Sequence, residues 1–239
     1  MTQLLVNLKI NPNLHIKNPQ ETELGKKIIE YSVILIDEIG FEQFTFKKLA
    51  EAISSTEASI YRYFENKHQL FVYLLNWYWE WMIIRIDLNT LNVTSAKKRL
   101  QIVLGIIVDT ANRNTAIEFV DEEALHRIVV TEGTKGYHHK WVDEDNKEGF
   151  FLSYKRLTQQ IADIIKELNP KFPYPKALAS MLIETANNNL YFARHLPRLT
   201  DLKDEGQLLS DKVTKMLEFF AHHLIPQSEV AEVPEEQTT

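Results

Sequence analysis

The chain has 239 residues, of which 44% are hydrophobic and 10% aromatic, and its formal net charge at pH 7 is −6. This length is enough for one elongated domain or two small domains with a sizeable core. The absence of cysteine excludes disulfides, thiolate metal sites and cysteine nucleophiles, and it is typical of a cytosolic protein. No apolar run approaches the roughly 18 residues of a membrane-spanning helix, and the N-terminus does not resemble a signal peptide. We therefore expect a cytoplasmic location.

The first twenty residues differ in pattern from the rest of the chain. Apolar and polar residues alternate there, and Asn11-Pro12-Asn13 is a turn signal between the two halves. An isolated hairpin is marginal in water. We therefore predict an extended N-terminal arm at residues 1–20, or two short strands, ordered only where it packs against something else such as a dimer partner.

Helical periodicity follows in four segments. The first helix is predicted to end at Gly40, which can supply a left-handed C-terminal cap. The second and third cover about 45–53 and 56–63. The fourth covers about 66–89 and begins at Asn66, which has the spacing of a capping box with the glutamine three residues later. Its length is sufficient to connect two domains.

The rest of the chain also has helical periodicity. Residues 132–147 combine glycines with mixed charge and predict a loop. The tail at 226–239 is acidic and contains proline, which predicts disorder. The remaining helices are predicted at 95–113, 115–131, 147–168, 173–196 and 206–224.

The order of elements around residues 45–67 is that of a helix-turn-helix DNA reader. Such a reader places its second helix in the major groove, while flanking residues hold phosphates. Ile60 and Phe64 are four residues apart and are predicted to pack inward. Lys67, at the start of the next helix, can hold a phosphate together with free backbone N–H groups.

The charge of this segment supports DNA binding only weakly. Phosphate contact depends on where the cations lie rather than on the net charge of the chain. Four cations against three acids give a local net charge of +1. The cations are Lys47, Lys48, Arg62 and Lys67, and the acids are Glu51, Glu57 and Glu65.

This stretch resembles the DNA-binding domain of the tetracycline-repressor (TetR) family of bacterial regulators. The resemblance is carried by Gly40-Phe41, Thr45, Leu49-Ala50, Ser59-Ile60-Tyr61, Tyr63-Phe64, Lys67 and Leu70. The chain departs from the family in the turn, where Ser54-Ser55-Thr56 replaces the usual Gly-Val-Ser with its left-handed glycine. A residue other than glycine costs about 1 kcal/mol in that conformation. The turn is therefore either slightly strained or built differently.

The resemblance implies a DNA-binding site of two kinds of residue. Phosphate contacts are implied for Thr45, Lys47, Lys48, Tyr63 and Lys67. Positions facing the groove are implied for Thr56, Glu57, Ala58, Ser59, Tyr61 and Arg62. Glu57 is unusual in this set, because a carboxylate accepts a hydrogen bond from cytosine but repels phosphate. The alternative is that Tyr61, Tyr63 and Phe64 only form the core of three small helices.

The resemblance also implies an all-α fold in two parts. An N-terminal three-helix DNA-binding domain at 21–70 is joined by a long helix to a helical ligand-binding and dimerisation domain at 71–225. A homodimer follows from the mechanism, since two reading heads are needed for two half-sites. The apolar stripes of 173–196 and 206–224 are the best dimer candidates, although such stripes can equally form intramolecular core.

A ligand site is only loosely indicated by the sequence. Aromatic residues with a few polar residues on apolar helices suit a hydrophobic ligand, although aromatic stripes are more often plain core. The candidate residues are Trp77, Tyr78, Trp81, Arg85, Asp109, His126 and Asn188.

We therefore predict a ligand-responsive regulator, expected to be a repressor, that binds a pseudo-palindromic operator as a homodimer. A small hydrophobic molecule would release it, and neither enzymatic activity, a cofactor nor a metal site is expected. Two alternatives stay open: an interaction protein that kept the fold without reading DNA, and a helical metal-dependent enzyme. For the enzyme, Glu123-x-x-His126 occurs once where di-iron bundles use the motif twice. His138-His139 with the acids at 143–145 could chelate a cation, but a solvated loop is favoured.

Overall fold

The computed structural model describes residues 8–109 and 119–226 of the chain. Within these residues it contains ten α-helices and four short 3-10 turns, with no β-strand, so the predicted all-α fold is confirmed. No helix in these two ranges is long and apolar enough to cross a membrane. The helices are α1 Glu23–Gln43, α2 Phe46–Ala52, α3 Glu57–Tyr61, α4 Lys67–Thr90, α5 Ala96–Asp109, α6 Glu122–Glu132, α7 Val142–Lys147, α8 Leu152–Leu168, α9 Pro175–His195 and α10 Gln207–Leu224.

The described part of the N-terminal arm is not a pair of strands. It forms two 3-10 turns, Pro12–Leu14 and Pro19–Glu21, each capped by the preceding asparagine. Proline lacks the N–H that a strand ladder needs, so the two prolines override the alternating pattern. The arm packs on its own chain, with Leu8 and Leu14 buried. The predicted disorder of the tail falls almost entirely on residues 227–239, outside the described part.

Short polar caps define the N-terminal helices. The side chains of Thr22, Thr45, Thr56 and Asn66 each accept a hydrogen bond from the backbone N–H three residues further on. Each bond satisfies one of the N–H groups that have no partner within the helix. These are local rules, and the predicted starts of α2, α3 and α4 agree with the structure to within a residue or two.

Gly40 interrupts α1 rather than ending it in the expected left-handed conformation. Its backbone angles, φ 75° and ψ 157°, lie in a region that is essentially restricted to glycine. The chain then makes one more helical turn to Gln43. Gly40 therefore bends the end of α1 toward α2, and this bend sets the angle at which the helix-turn-helix begins.

The long connecting helix α4 is the centre of the molecule. Every residue from Leu70 to Ile83 on this helix is buried. A helix that is covered on all sides must have neighbours all round it, and here they are α1, α5, α6 and α8. The N-terminal and the C-terminal helices therefore share one continuous core.

The helices α5, α8, α9 and α10 pack together at the C-terminal end. On α10 the side chains of Leu209, Val213 and Leu217 have no exposed surface, so this part of the predicted dimer stripe is intramolecular core. On α9 and α10 the outward-facing Met181 and Leu224 are 41% and 46% exposed. Only the outer residues of the two helices are therefore available to a second chain.

The predicted loop at 132–147 was wrong in part. It contains a 3-10 turn at Gly133–Gly136 and the short helix α7, Val142–Lys147. Three acids occupy the first turn of α7, where negative charge is favoured by the exposed backbone N–H groups. The two glycines and the mixed charge of this stretch predicted a loop, so the acidic first turn of a helix was not recognised.

Candidate DNA interface and ligand site

The turn between α2 and α3 keeps the left-handed geometry without glycine. Ser54 has φ 52°. The amide of Ser55 donates to the Ala50 carbonyl at 2.9 Å and the amide of Ser54 to the Glu51 carbonyl at 3.2 Å, which is a Schellman cap. Of the two possibilities left open by the sequence, the structure has the slightly strained turn.

The α3 surface that would face DNA is exposed. Thr56, Glu57, Ala58, Tyr61 and Arg62 are all exposed, while the inward positions 60 and 64 are fully buried, as predicted. Ser59 is half-buried because its hydroxyl lies 3.0 Å from the Thr56 hydroxyl at the helix start. The outer face of α3 therefore presents small and polar side chains together with one cation, Arg62.

The start of α2 presents exposed polar and cationic groups beside α3. Thr45, Lys47 and Lys48 are exposed. Lys48 donates to the Gln43 carbonyl at 3.0 Å, whereas Thr45 accepts the capping bond from the Lys48 amide. These three residues remain accessible to a phosphate backbone.

Tyr63 lies in the core rather than on the predicted phosphate surface. It is 3% exposed, and its hydroxyl is 2.8 Å from the Thr22 hydroxyl at the start of α1. The hydroxyl therefore ties the end of α3 to α1. A buried, already bonded hydroxyl is poorly placed to reach DNA.

Lys67 caps the end of α1 in this structure. Its ammonium donates to the carbonyls of Phe41, Glu42 and Phe44 at 3.1, 3.2 and 3.2 Å, and it lies 4.7 Å from the centre of the Phe41 ring. An ammonium has three N–H groups, so all of them are used. In this structure Lys67 is thus engaged within the chain, and the phosphate contact that the sequence predicted stays a prediction.

Lys17 is a cation near the reading head that the sequence analysis missed. The amide of Ile16 donates to the Tyr63 carbonyl at 2.8 Å, and the Lys17 ammonium lies 5.4 Å from the Tyr63 ring centre. Lys17 is exposed. Its position depends on contacts between residues nearly fifty apart, which no local pattern reveals.

The aromatic ligand candidates are core residues. Trp77, Tyr78 and Trp81 are at most 5% exposed. The Tyr78 hydroxyl lies 2.8 Å from Nδ1 of His126, which is itself buried. Burial lowers the pKa of His126 to about 4, with a further lowering by the charges of Arg194 and Arg127. The imidazole is therefore neutral at pH 7.

The polar ligand candidates lie at two separate places. Arg85 pairs with Asp109 at 2.7 Å, and both line an open groove of about 670 Å³ between α4, α5 and α10. Asn188 is exposed on α9 and lines a different, small cavity of about 50 Å³. Arg85 and Asp109 therefore line one cavity and Asn188 another, while a ligand site formed by the seven residues stays a prediction.

Glu122 is a buried acid that the sequence analysis did not select. It is 4% exposed, and the nearby Trp81 indole does not reach full hydrogen-bond geometry to either carboxyl oxygen. Burial raises its pKa, and the Trp81 indole and the Arg85 charge lower it again in part. An acid in the first turn of a helix is usually a solvated group, which is why the sequence gave no signal.

Residues 28–74, the helix-turn-helix region with most of α1, match the sequence model of the tetR family of bacterial regulatory proteins. The helix-turn-helix region of this chain is therefore similar to that of the TetR family. A curated relative, the nucleoid occlusion factor SlmA of Haemophilus influenzae, is 31% identical over 84 residues, which is 35% of this chain and 38% of SlmA. SlmA of Serratia proteamaculans is 26% identical over 129 residues, 54% of this chain and 58% of that protein. The chain thus spans less than two thirds of these relatives.

Solved structures of low sequence identity share the fold of this chain. FadR of Bacillus subtilis in complex with stearoyl-CoA has a TM-score of 0.60 at 18% identity, covering 80% of this chain and 96% of FadR. AibR in complex with isovaleryl coenzyme A and operator DNA has a TM-score of 0.58 at 14% identity, covering 85% and 100%. A tetR-family regulatory protein from Rhodococcus RHA1 has a TM-score of 0.60 at 12% identity, covering 87% and 100%.

Replacing Lys67 with alanine is expected to destabilise the protein. The change removes three charge-assisted hydrogen bonds and leaves carbonyls at the end of α1 without partners, at a cost of about 2–3 kcal/mol. The exposed Lys47→Ala is the matched control and should stay within about 0.5 kcal/mol of the parent. Urea unfolding followed by circular dichroism measures both. Equal stabilities for the two variants would contradict the capping role.

Acid should destabilise the chain through His126. The pKa of this imidazole is about 4 in the fold and 6.5 in the unfolded chain, so the unfolded chain binds the proton first as the pH falls. His126→Gln keeps a polar partner for Tyr78 but cannot ionise. Between pH 7 and 5 the parent should lose about 2 kcal/mol more stability than the variant. If the parent and the variant lose the same stability between pH 7 and 5, the pKa of His126 is not lowered in the fold.

Proposed function

We propose that the chain is a ligand-responsive transcriptional regulator that binds a pseudo-palindromic operator as a homodimer, and that it acts as a repressor rather than as an enzyme. The observation that supports this best is the exposed outer face of α3, whose inner face is buried in the core beside α2. This role requires access to chromosomal DNA and therefore a cytoplasmic location. We assign the reading head to 21–70 and the ligand and dimer functions to 71–225.

The proposed DNA contacts divide into two groups. Thr45, Lys47 and Lys48 at the start of α2 would hold phosphates, with Lys17 of the arm as an addition. The outer residues of α3 would face the bases. They are Thr56, Glu57, Ala58, Ser59, Tyr61 and Arg62.

The proposed dimer uses the outer faces of α9 and α10. Met181 on α9 and Phe219 on α10 are 41% and 57% exposed, and Leu224 is 46% exposed. Large apolar side chains on neighbouring helices are typical of a surface that a second chain covers. Two such pairs of helices form a four-helix bundle.

The proposed ligand is a small hydrophobic molecule bound in the C-terminal helical part. Arg85 pairs with Asp109 through Nη2 at the open groove between α4, α5 and α10, but its Nη1 has no hydrogen-bond partner among the described residues and lies next to apolar residues of α5. A cation beside apolar surface suits a molecule with one anionic and one apolar end. Two structures that share the fold hold acyl thioesters of coenzyme A, stearoyl-CoA and isovaleryl-CoA. An acyl-CoA is therefore the first class to test.

Salt-dependent DNA binding tests the reading head. Binding to a duplex from upstream of the chain's own coding region should weaken steeply with salt, because phosphate contacts release counterions. Lys47→Ala should weaken binding to this and to a scrambled duplex alike and flatten the log–log salt slope by about 0.9. Lys97→Ala, an exposed lysine on α5, is the charge-matched control and should leave the slope unchanged.

The outcome of that titration separates the regulator from the interaction protein. If no salt-sensitive binding occurs at low ionic strength with either duplex, the DNA-reading proposal fails and the interaction protein with this fold is the better account. If binding occurs but Lys47→Ala leaves the salt slope unchanged, Lys47 does not contact a phosphate and the proposed orientation of α2 on DNA is rejected.

Ligand release is tested on the same protein–DNA complex. Isovaleryl-CoA and stearoyl-CoA should each be compared with free coenzyme A, which carries the same anionic groups without an acyl chain. An acyl-CoA that lowers operator affinity should lose this effect in Arg85→Met, which keeps the apolar stem but removes the cation. Equal effects of acyl-CoA and free coenzyme A would reject an acyl-recognising pocket.

A further inference from the structure

A cluster of two histidines and one aspartate lies where the reading head meets the C-terminal part. His68 is the second residue of α4, directly after the Lys67 that caps α1. Asp145 is on the short helix α7, and His139 is in the turn that precedes it. One ligand atom from each of the three side chains lies within 4.8 Å of the others. The sequence placed two of these residues in one loop but did not bring His68 to them.

The three side chains are arranged around one carboxylate oxygen. Oδ2 of Asp145 is 2.7 Å from Nε2 of His68 and 3.3 Å from Nε2 of His139. The two imidazole rings are edge-to-face with centres 4.7 Å apart. The exposed fractions of the side chains are 31% for His68, 18% for His139 and 16% for Asp145. The 3.3 Å contact of His139 Nε2 does not meet hydrogen-bond geometry, so this buried nitrogen has no hydrogen-bond partner among the described residues.

We propose that His68, His139 and Asp145 bind a divalent transition-metal ion, with Zn²⁺ the best fit. Two imidazole nitrogens with one carboxylate oxygen suit Zn²⁺ and its neighbours, whereas Mg²⁺ and Ca²⁺ prefer oxygen ligands only. In tetrahedral zinc sites the ligands lie about 2.0–2.1 Å from the ion, so neighbouring ligand atoms are about 3.3 Å apart. The separation between His139 and Asp145 already matches this spacing. A water completes the fourth position.

Metal binding requires small local changes at the two histidines. The 2.7 Å contact between His68 and Asp145 must open, because the ion replaces the shared proton. Nδ1 of His139 now accepts a hydrogen bond from the Trp141 amide at 3.3 Å. When Nε2 binds the ion, Nδ1 carries the proton, so this bond is lost. The bond is at the long end of the normal range and lies in a half-exposed turn, so it opposes the change only weakly.

The metal site would connect the start of α4 to α7, which are far apart along the chain. Lys67 fixes the start of α4 to the end of α1, and His68 is the next residue. An ion bound by His68, His139 and Asp145 would hold the start of α4 against α7. Metal occupancy would thereby change the freedom of the reading head, and DNA affinity would depend on it. This consequence rests on the proposed DNA-reading function, whereas the metal site itself does not.

Metal binding to the full chain, with any affinity tag removed, tests the site directly. Isothermal titration with Zn²⁺ should give one strong site per chain, and Mg²⁺ should not compete. His139→Ala, in a half-exposed turn, and His68→Ala should weaken Zn²⁺ binding at least about tenfold. The matched control is His138→Ala, which removes an exposed imidazole from the same turn and should leave the strong site intact. Circular dichroism verifies that each variant is folded.

Two outcomes overturn the proposal. The first is the absence of a strong Zn²⁺ site in the parent, which would leave the three side chains as a hydrogen-bonded cluster only. The second is equal Zn²⁺ affinity in the parent and in folded His139→Ala, which would place the ion elsewhere, for example at the exposed histidines of α10. Operator affinity measured with and without Zn²⁺ is a separate readout: strong Zn²⁺ binding without any DNA binding would reject the proposed function and leave the metal site standing.

Discussion

The arrangement of this protein depends on the complete burial of α4. From Leu70 to Ile83 the helix exposes no side, so α1, α5, α6 and α8 are placed by direct contact with it. The free energy comes from apolar area: each large side chain fully removed from water contributes about 1.5–3 kcal/mol. Because α1 packs on the same core as α8, the reading head cannot tilt freely as an independent domain. Movement of the head relative to the C-terminal helices must therefore involve the ends of α4, where burial decreases.

The start of α4 is where polar contacts replace apolar packing. Lys67 holds the end of α1, and His68 faces α7 from the next position. The arm adds a further strap, since the Asn11 amide nitrogen donates to the Glu148 carbonyl at 2.7 Å while Ile16 bonds Tyr63. Hydrogen bonds of this kind have small net free energies in exposed places, near 1 kcal/mol each. They can be exchanged at little cost, which is the property that a regulated joint needs.

The sequence predicted those features that short-range rules determine. The caps at Thr45, Thr56 and Asn66 and the inward positions on α3 follow from spacings of three or four residues, and the structure has them. Serine replaces the usual glycine of the turn at position 54, and the strained turn that the structure has was one of the two possibilities that this replacement left open. For the arm, the sequence left an extended segment or two short strands open, and the described residues form 3-10 turns at two prolines instead of strands.

The sequence could not predict which polar groups are already engaged. Tyr63 and Lys67 lie where the family pattern puts phosphate contacts, yet their partners are on α1, between 23 and 41 residues away. Glu122 has the signature of a solvated helix start, but the fold buries it. In each case the deciding quantity is burial or a distant partner, and neither is encoded in local spacing.

The same limit explains the cluster of His68, His139 and Asp145. Its members are 71 and 77 residues from His68 along the chain, so no spacing rule for metal ligands could assemble them. Only the packing of the segment around α7 on the start of α4 does so. Pairing offsets the free-energy cost of burying a carboxylate or an imidazole, and the hydrogen bond to His68 alone would satisfy Asp145. The second imidazole adds no further hydrogen bond, because His139 Nε2 is unpartnered beside the carboxylate. A metal ion bound by all three side chains would give this second imidazole a partner.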